Sequence, residues 1–338
     1  ACLSLRRADG GDPGVRRPPH PPAVAAPFVS GCVLVAGGTG TVGHHLLPLL
    51  LQTGLPVRAI ARGRVPRMDP GSTGGAAVEW VRADLTRPDT LRGVCDGARL
   101  VVSAAGAPLD MSLRQRRGFE SVDFRGNLNL LSEAERSDVR RFLYVSVFVP
   151  PGLRTEGAMR RRDPYVDAHE RFVRALRRSG RAAIVIRPTG YYAFFAELLK
   201  LAGRGRVPVV GSGEAKTNPV HEADVALACA EAAGRLWAWE RDDGTLWDEV
   251  AVGGPAVYTR RDLAEMALMA VGGGGRTTNV SPRLLRGLST VLAPLSPRMA
   301  GLMAFGAAIS TVDCVAPIVG TRPLETYLEE REVALATS

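Results

Sequence analysis

The sequence predicts an α/β protein built on a doubly wound parallel sheet, with a smaller, mostly helical lobe at its C-terminal end. Three observations predict this fold. Short apolar segments alternate with helical segments from residue 32 to about residue 190, which is typical of buried parallel strands joined by helices. A glycine-rich loop follows the first apolar segment. After Pro188 the alternation stops, and helical segments with proline breaks follow.

The alternating part contains six predicted strands, each a short apolar run. The strands are residues 32–36, 57–61, 77–82, 100–104, 141–147 and 182–187. The predicted helices between them are residues 42–53, 89–95, 113–137 and 165–179.

The remaining chain predicts helices at residues 191–202, 223–233 and 257–271. Thr259 is a suitable N-cap for the third of these helices, because its hydroxyl can accept a hydrogen bond from a free backbone N–H. Residues 284–309 are apolar but are broken by Pro294 and Pro297. They therefore predict two short helices rather than one.

The composition excludes some classes of function. The net charge of +9 comes almost entirely from arginine, since Lys200 and Lys216 are the only lysines. Such a chain could seek phosphates, anionic lipid or acidic proteins, although arginine-rich codon usage and a solvated surface explain the charge equally well. Aromatic residues do not alternate with the basic ones, so we expect no nucleic-acid partner. The five cysteines form no C-x-x-C pair and indicate neither a disulfide framework nor a metal site.

The first thirty residues are rich in Pro, Arg, Ala and Gly and show no periodicity. This composition is typical of what remains of an organellar transit peptide, or of a disordered tail. The uncharged segment at residues 31–57 is long enough to cross a bilayer. Its glycines and prolines favour a strand, a loop and a helix instead, so we expect no transmembrane helix.

The loop GGTGTVG places three glycines between a strand and a helix, the context in which such a triplet binds a dinucleotide. Glycines allow the tight turn and a close approach of the backbone to a pyrophosphate, and the helix N-terminus offers free N–H groups. The alternative is a relic loop that binds nothing. The residues expected to contact the cofactor here are Gly37, Gly40, Thr41, Val42 and Gly43.

The second predicted strand distinguishes the two nicotinamide cofactors. An NAD site usually places an acidic residue about 20 positions after the loop, but no Asp or Glu lies between His44 and Met68. Arg62 and Arg64 stand there instead, and an arginine can hold a 2′-phosphate through two hydrogen bonds. NADP(H) is therefore favoured over NAD(H), the alternative being that the arginines form a solvated basic turn.

These observations divide the chain into three parts. Residues 1–30 are a Pro/Arg-rich N-terminal extension, residues 31–190 are a dinucleotide-binding domain, and residues 191–338 form a smaller substrate or docking lobe that is interleaved with the sheet.

From about residue 33 to residue 321 the chain resembles the atypical, NmrA-like branch of the short-chain dehydrogenase/reductase superfamily. The motifs that carry the resemblance are GGTGTVG, ADL after the third strand, SAAG after the fourth, YVSV in the fifth, IRPTG after the sixth, the helix that begins at Tyr165, and NPVHEADVA. The resemblance implies that Asp84 and Leu85 lie near the adenine, that Ala104, Ala105 and Gly106 line the cofactor, and that Pro188 and Thr189 approach the nicotinamide.

In active members of that superfamily, a serine orients the carbonyl and a Y-x-x-x-K helix supplies a tyrosine that donates the proton. The corresponding residues here are Ser146 and Tyr165, but His169 stands in place of the lysine. His169 shares a helix face with Tyr165 and could reach the ribose, although a neutral imidazole brings no fixed positive charge. Three interpretations stay open: a working acid–base pair, a cofactor contact with weak catalysis, and a tyrosine that is only packed.

Two further groups have both a structural and a functional interpretation. His221 in NPVHEADVA is expected to order the junction between sheet and lobe, with catalysis as the alternative. The aromatic residues that could wall a substrate pocket, or simply pack a helix, are Tyr191, Tyr192, Phe194 and Phe195.

The sequence leads to two hypotheses of function. In the first, the protein is an NADP(H)-binding accessory or assembly subunit of a photosynthetic or respiratory membrane complex, which it contacts through the N-terminal extension and the C-terminal lobe. A plastid location is expected, with the mitochondrion as the alternative. In the second, it is an NADPH-dependent reductase of a small carbonyl or conjugated alkene.

Overall fold

The computed structural model describes residues 31–63, 77–108, 118–150, 163–240 and 246–329. The strands are β1 Cys32–Ala36, β2 Val57–Ala61, β3 Glu79–Arg82, β4 Ala98–Ser103, β5 Arg141–Val145, β6 Ala182–Pro188, β7 Arg206–Val210, β8 Lys216–Thr217, β9 Trp247–Val252, β10 Tyr258–Thr259 and β11 Arg276–Val280. The α-helices are α1 Gly43–Gln52, α2 Asn127–Arg136, α3 Pro164–Arg178, α4 Tyr192–Ala202, α5 Glu222–Trp237, α6 Arg260–Ala270, α7 Pro282–Leu292 and α8 Pro297–Ile309.

Seven of these strands form one central sheet in the order β3-β2-β1-β4-β5-β6-β9. Every neighbouring pair in it is parallel. The strand order reverses between β1 and β4, so the crevice outside their carboxyl ends is the place where doubly wound sheets bind ligands. The predicted fold class, a doubly wound parallel sheet with a largely helical C-terminal part, is confirmed.

Helices cover both faces of the sheet and bury its side chains. Leu46 of α1 and Val225 of α5 belong to the core on one face. Leu130 of α2 and Phe172 of α3 belong to the core on the other face. Burial on both faces explains why the strands contain continuous apolar runs instead of alternating ones.

The seventh strand, β9, was not predicted. It pairs with β6 at the edge of the sheet, and five of its six residues are only partly buried. Asp248 and Glu249 interrupt its apolar character, which removes the signal that a buried strand gives. The helix α5 also packs against α1 in the main layers. Residues assigned to the smaller lobe therefore complete the sheet and one of its helical layers.

Two predicted helices differ in form. Where a helix was predicted at residues 89–95, the structure has only a short 3₁₀ turn, Pro88–Leu91. The turn starts at a proline, and Gly93, with its positive φ, prevents the helix from continuing. Of the predicted helix at residues 113–137, residues 113–117 lie outside the described ranges. The rest is a π-helical turn, Glu120–Gly126, that continues into α2.

The C-terminal part contains two small sheets besides its helices. The parallel pair β7–β11 and the antiparallel pair β8–β10 were both missed. The strands β8 and β10 have only two residues each, β7 is interrupted by Pro208, and β11, RTTNV, has no apolar run. The predicted N-cap is confirmed, since Thr259 and Asp262 form a reciprocal capping box at the start of α6. The two helices predicted around the proline breaks are also present as α7 and α8.

The N-terminal extension, residues 1–30, lies outside the described residues. Among the residues that the structure does describe, every helix is too short or too polar to cross a membrane.

Candidate functional site

The loop between β1 and α1 leaves room for backbone only. Gly37 has a φ of +84°, and a Cβ there would lie 2.6 Å from the carbonyl of Ala104. A Cβ on Gly43 would overlap the carbonyl oxygen of Gly37. Any side chain at either position would push the loop away from the end of β4. Both glycines are therefore required by the geometry.

At the start of α1 the N–H groups of His44 and His45 donate to the carbonyls of Gly40 and Val42, whereas those of Val42 and Gly43 have no acceptor among the described residues. The N-cap Val42 makes no side-chain capping bond, and the first turn contains no acidic residue. Thr39 and Thr41 are exposed, and Gly40 donates its N–H to Gly37 at 2.9 Å, which closes the turn. A helix N-terminus with uncapped N–H groups and a cradle that any Cβ would fill fits the pyrophosphate of a dinucleotide.

The segment after β4 forms the second wall of this crevice. Ala104 donates its N–H to Ala36 at 2.9 Å, which brings the SAAG motif against the glycine loop. Buried Asn127 holds the segment from below, because it accepts from Ser103 Oγ at 2.5 Å and donates to the carbonyl of Ala105 at 3.2 Å. Gly106, which is exposed, follows directly. The structure thus brings together the two motifs that the resemblance assigned to cofactor binding.

The residues predicted on the adenine side follow β2 and β3, two neighbouring strands. Arg62 is exposed directly after β2, whereas Arg64 lies outside the described residues. The carboxylate of Asp84 accepts from the N–H and the hydroxyl of Thr86, at 3.0 and 2.8 Å, and so stabilises the turn after β3. Leu85 is buried beside it. Their contacts to a cofactor stay a prediction.

The three predicted catalytic residues converge at the ends of β5 and α3. Ser146 follows β5 and is buried, with Oγ 3.4 Å from a guanidinium nitrogen of Arg187. Tyr165 lies in the first turn of α3, and its ring makes edge-to-face contacts with Phe119, His169 and Phe305. Both Ser146 and Tyr165 line one cavity.

His169, in the lysine position, is held between two buried partners. Its Nδ1 lies 2.6 Å from the hydroxyl oxygen of Tyr144, and its Nε2 lies 3.3 Å from a carboxylate oxygen of Asp123. Asp123 is itself fixed, because both of its carboxylate oxygens accept from the N–H of Ala107. The imidazole is only 4% exposed. Both ring nitrogens therefore face protein groups.

Sequence reasoning missed both partners of His169. The signal for Tyr144 was available, since it stands two residues before Ser146 and so lies on the same side of the strand. No sequence pattern predicted Asp123, because its direction depends on the π-helical turn, a feature that is frequent at functional sites.

The environment of Tyr165 keeps its hydroxyl protonated. Burial raises the pKa of Tyr165 well above its ordinary value, and the carboxylates of Asp123 and Asp163 raise the pKa further. Burial also raises the pKa of Tyr144. In active members of the resembled superfamily the lysine has the opposite effect on the tyrosine. Among the described residues that shift the pKa of Tyr165, none is a cation that would lower it.

A buried arginine anchors the IRPTG motif. Arg187 forms ion pairs with Glu170 of α3 at 2.6 Å and Glu249 of β9 at 2.7 Å. It thereby ties three elements together below the cavity. Pro188 and Thr189 follow, both buried, and Thr189 donates its hydroxyl to the carbonyl of Asn218 at 2.5 Å. The approach of Pro188 to a nicotinamide stays a prediction.

The cavity has a volume of about 350 Å³ and is almost entirely apolar. The polar and charged side chains that line it, besides Ser146 and Tyr165, include Thr189, Glu197, Thr217, Arg260 and Ser310. Of the four aromatic residues considered from sequence, Tyr191, Phe194 and Phe195 line it. Tyr192 does not, because it is buried in the core of the C-terminal part and donates its hydroxyl to the carbonyl of Arg322 at 2.6 Å.

The NPVHEADVA motif joins the sheet to the C-terminal part, as predicted. His221 caps α5 by accepting from the N–H of Ala223 at 3.0 Å. Glu222 accepts from the N–H of Ala193 at 2.6 Å, and Asp224 accepts from the N–H groups of Thr321 and Arg322. Each polar residue of the motif thus has a structural partner. In the part of the chain that the structure describes, no group of three or more His, Cys, Asp or Glu is arranged to hold a metal ion.

Comparisons with known proteins agree with this geometry. A family model described as NAD(P)H-binding matches residues 37–235. The chain is 30% identical over 237 residues to a ceramide reductase of Caulobacter vibrioides, which covers 66% of this chain and 69% of that protein. It is 29% identical over 115 residues to the chloroplastic protein High Chlorophyll Fluorescence Phenotype 244 of Arabidopsis thaliana, covering 34% of this chain and only 27% of that relative. A quinone oxidoreductase of Escherichia coli, solved with NADPH, superimposes with a TM-score of 0.61 at 17% identity, covering 88% of this chain and 99% of that one.

We expect Gly43→Ala to weaken NADPH binding by at least about tenfold, equivalent to about 1.4 kcal/mol, because the added methyl group collides with the backbone of the loop. Gly40→Ala should do less harm, since its Cβ would lie 3.1 Å from the oxygen of Gly37. Titration calorimetry measures both dissociation constants.

The matched control is Gly234→Ala, which lies inside α5 and has open space around the added Cβ. It should leave NADPH binding unchanged and raise the free energy of unfolding by about 0.5–1 kcal/mol. Wild-type affinity in a folded Gly43→Ala variant would contradict the assignment of the loop.

Asp163, the N-cap of α3, makes stability depend on pH. Burial raises its pKa to about 7, although the N–H groups of Val166 and Tyr165 oppose the shift. The folded chain therefore keeps a proton that the unfolded chain releases near pH 4. Stability contributed by this site is present below about pH 4 and is lost as the pH rises to about 7.

Asp163→Asn keeps the cap and removes this titration. Relative to wild type, its free energy of unfolding should rise by up to about 1.4 kcal/mol per pH unit between about pH 4 and 7. Urea unfolding at several pH values measures the slope. Asp89→Asn, at an exposed position, is the control and should stay parallel to wild type. A parallel curve for Asp163→Asn would disprove the raised pKa.

Proposed function

The chain belongs to the NAD(P)H-binding family, and we propose that it binds NADP(H) and acts as an accessory or assembly subunit of an organellar membrane complex, with a degenerate catalytic motif. One observation carries the proposal. His169, where a Y-x-x-x-K motif has its lysine, is buried between the hydroxyl of Tyr144 and the carboxylate of Asp123. To contact a ribose, the imidazole would have to leave both partners inside a low-dielectric interior, which costs free energy.

The site would hold the cofactor through the chain's own groups. The N–H groups at the start of α1 and the backbone of the glycine loop would bind the pyrophosphate. The end of β4 would lie along the cofactor, and Arg62 would bind the 2′-phosphate. The cofactor would supply hydride chemistry when bound. The residues around Tyr165 are arranged to keep its proton rather than to release it.

Similarity supports the proposed location and role. The Arabidopsis relative is chloroplastic by name, and we extend that to a plastid location for this chain, with a mitochondrial location as the alternative. The photosynthetic or respiratory complex would be contacted through the N-terminal extension and the C-terminal lobe. The NmrA-like affiliation is part of the proposal and rests on the motifs GGTGTVG, YVSV and NPVHEADVA.

The cavity favours a second candidate, an NADPH-dependent reductase of a carbonyl or conjugated alkene. Ser146 and Tyr165 lie on an apolar cavity of about 350 Å³, within the range of ligand pockets. Ser146 would orient the acceptor, and protonated Tyr165 would donate the proton. The apolar lining favours an acceptor with a hydrocarbon body. The ceramide reductase among the similar proteins is a reductase named for a lipid.

Cofactor preference is tested at Arg62. We expect Arg62→Ala to weaken NADPH binding by about 10- to 100-fold, because a hydrogen bond to a charged group contributes about 1.5–3 kcal/mol. NADH, which has no 2′-phosphate, should bind the variant as it binds wild type. Arg178→Ala, at the exposed C-terminal end of α3, should leave both affinities unchanged. Equal losses for both nucleotides at Arg62 would refute the assigned preference.

Turnover separates the two candidates. The accessory role predicts that the protein binds NADPH but oxidises it with a panel of apolar aldehydes, ketones and enones far below the usual range of about 1–1000 s⁻¹. It also predicts that protein extracted gently from its source membranes runs as a particle much larger than 35.9 kDa. Turnover within the usual range that Tyr165→Phe reduces by about 100-fold or more would establish the reductase instead.

A further inference from the structure

The helix α7 exposes an apolar stripe. Leu284, Leu288 and Val291 are 67%, 53% and 74% exposed, and their spacing of four and three residues places them on one face of the helix. Leu295, 85% exposed in the turn after the helix, continues the same stripe. The adjacent face of the helix packs inward, where Leu285 lines the cavity. Adjacent exposed leucines and valines on one helix mark an interaction surface, unlike isolated ones.

The chain segment that carries this stripe is basic. The chain contains no acidic residue between Glu265 and Asp313, while it contains four arginines there. Arg283 and Arg286 are exposed on α7 itself. Arg276 of β11 is exposed just before the helix and pairs in register with exposed Arg206 of β7. Arg298, the fourth arginine of the segment, is buried and donates to the carbonyl of Pro108 at 2.9 Å, so it does not belong to this exposed group.

An exposed apolar stripe on a helix that also carries exposed arginines has the chemistry of an interfacial helix. Such a helix lies in the plane of a bilayer, with its apolar side chains among the acyl chains and its cations at anionic headgroups. A protein partner of the same shape would need acidic groups around an apolar groove, whereas an anionic bilayer presents both features everywhere. The charge pattern therefore favours lipid.

We propose that α7 docks this protein on the surface of an anionic lipid bilayer, with Leu284, Leu288, Val291 and Leu295 inserted and the arginines at the headgroups. The docking requires neither the cofactor nor a protein complex, so its test is independent of the test of the proposed function. Because Leu285 lines the cavity from the inner face of the same helix, docking would also bring the apolar cavity next to the hydrocarbon layer.

Flotation of the full chain with vesicles tests the proposal. Vesicles of phosphatidylcholine alone are compared with vesicles that contain about one-third phosphatidylglycerol. We expect binding to the anionic vesicles, weak binding to the neutral ones, and partial release when about 1 M salt shortens the Debye length to about 3 Å. Failure to float with anionic vesicles would overturn the proposal.

Two sets of variants locate the contact. The triple variant Leu284→Ser, Leu288→Ser, Val291→Ser should lower partitioning onto anionic vesicles by at least about tenfold. The double variant Arg283→Glu, Arg286→Glu should also lower partitioning onto anionic vesicles, but should leave the weak binding to neutral vesicles unchanged. The matched controls are Leu227→Ser with Ile318→Ser, both exposed apolar positions off the stripe, and Arg92→Glu with Arg178→Glu.

The controls should float like wild type. Melting temperature and NADPH affinity confirm that each variant is folded, and the arginine pair, which alters only exposed positions, keeps the test decisive if the serine variant is unstable. Equal losses for the stripe variants and the controls, or wild-type binding in both stripe variants, would show that α7 is not the docking element.

Discussion

The contact between the loop after β1 and the end of β4 is the constraint on which the site depends. Gly37 and Gly43 bring backbone against backbone at the point where the strand order reverses, so the N-terminus of α1 opens onto the same crevice as the segment after β4. Asn127 then fixes that segment from below. Because all strands of the sheet are parallel, the ends of β5 and β6 reach the same edge and place Ser146 and Pro188 beside this crevice.

The position of His169 shows what a buried imidazole needs from the residues around it. A lysine is hard to bury without compensation, whereas an imidazole can be buried when each nitrogen has a partner. Tyr144 lies within hydrogen-bond distance of Nδ1, whereas Nε2 faces the carboxylate of Asp123 at 3.3 Å without forming a hydrogen bond. Arg187 and Glu170 hold the helix α3 under the cavity, and one turn after Tyr165 this helix carries a buried ring whose Nδ1 lies 2.6 Å from a hydroxyl.

The elements with the strongest local signals were predicted from sequence with nearly the observed bounds. The strands β1 and β2, the capping box at Thr259 and the proline break between α7 and α8 are examples. The strand β9 was missed because it lies at the edge of the sheet and carries charges that pair with distant residues, as Glu249 does with Arg187. Its place in the sheet depends on a contact between residues far apart in the chain, which local periodicity does not report.

The sequence by itself determined six of the seven strands of the central sheet, the glycine loop and the residue types of the candidate site, because strand periodicity, turn glycines and motif spacing are local properties. Only the tertiary structure decided what those residues face. It turned His169 toward Tyr144 and Asp123, placed Tyr165 and Ser146 on an apolar cavity, and left one face of α7 uncovered. These outcomes depend on which distant elements pack together, since burial and hydrogen-bond partners are properties of the assembled layers rather than of any one segment.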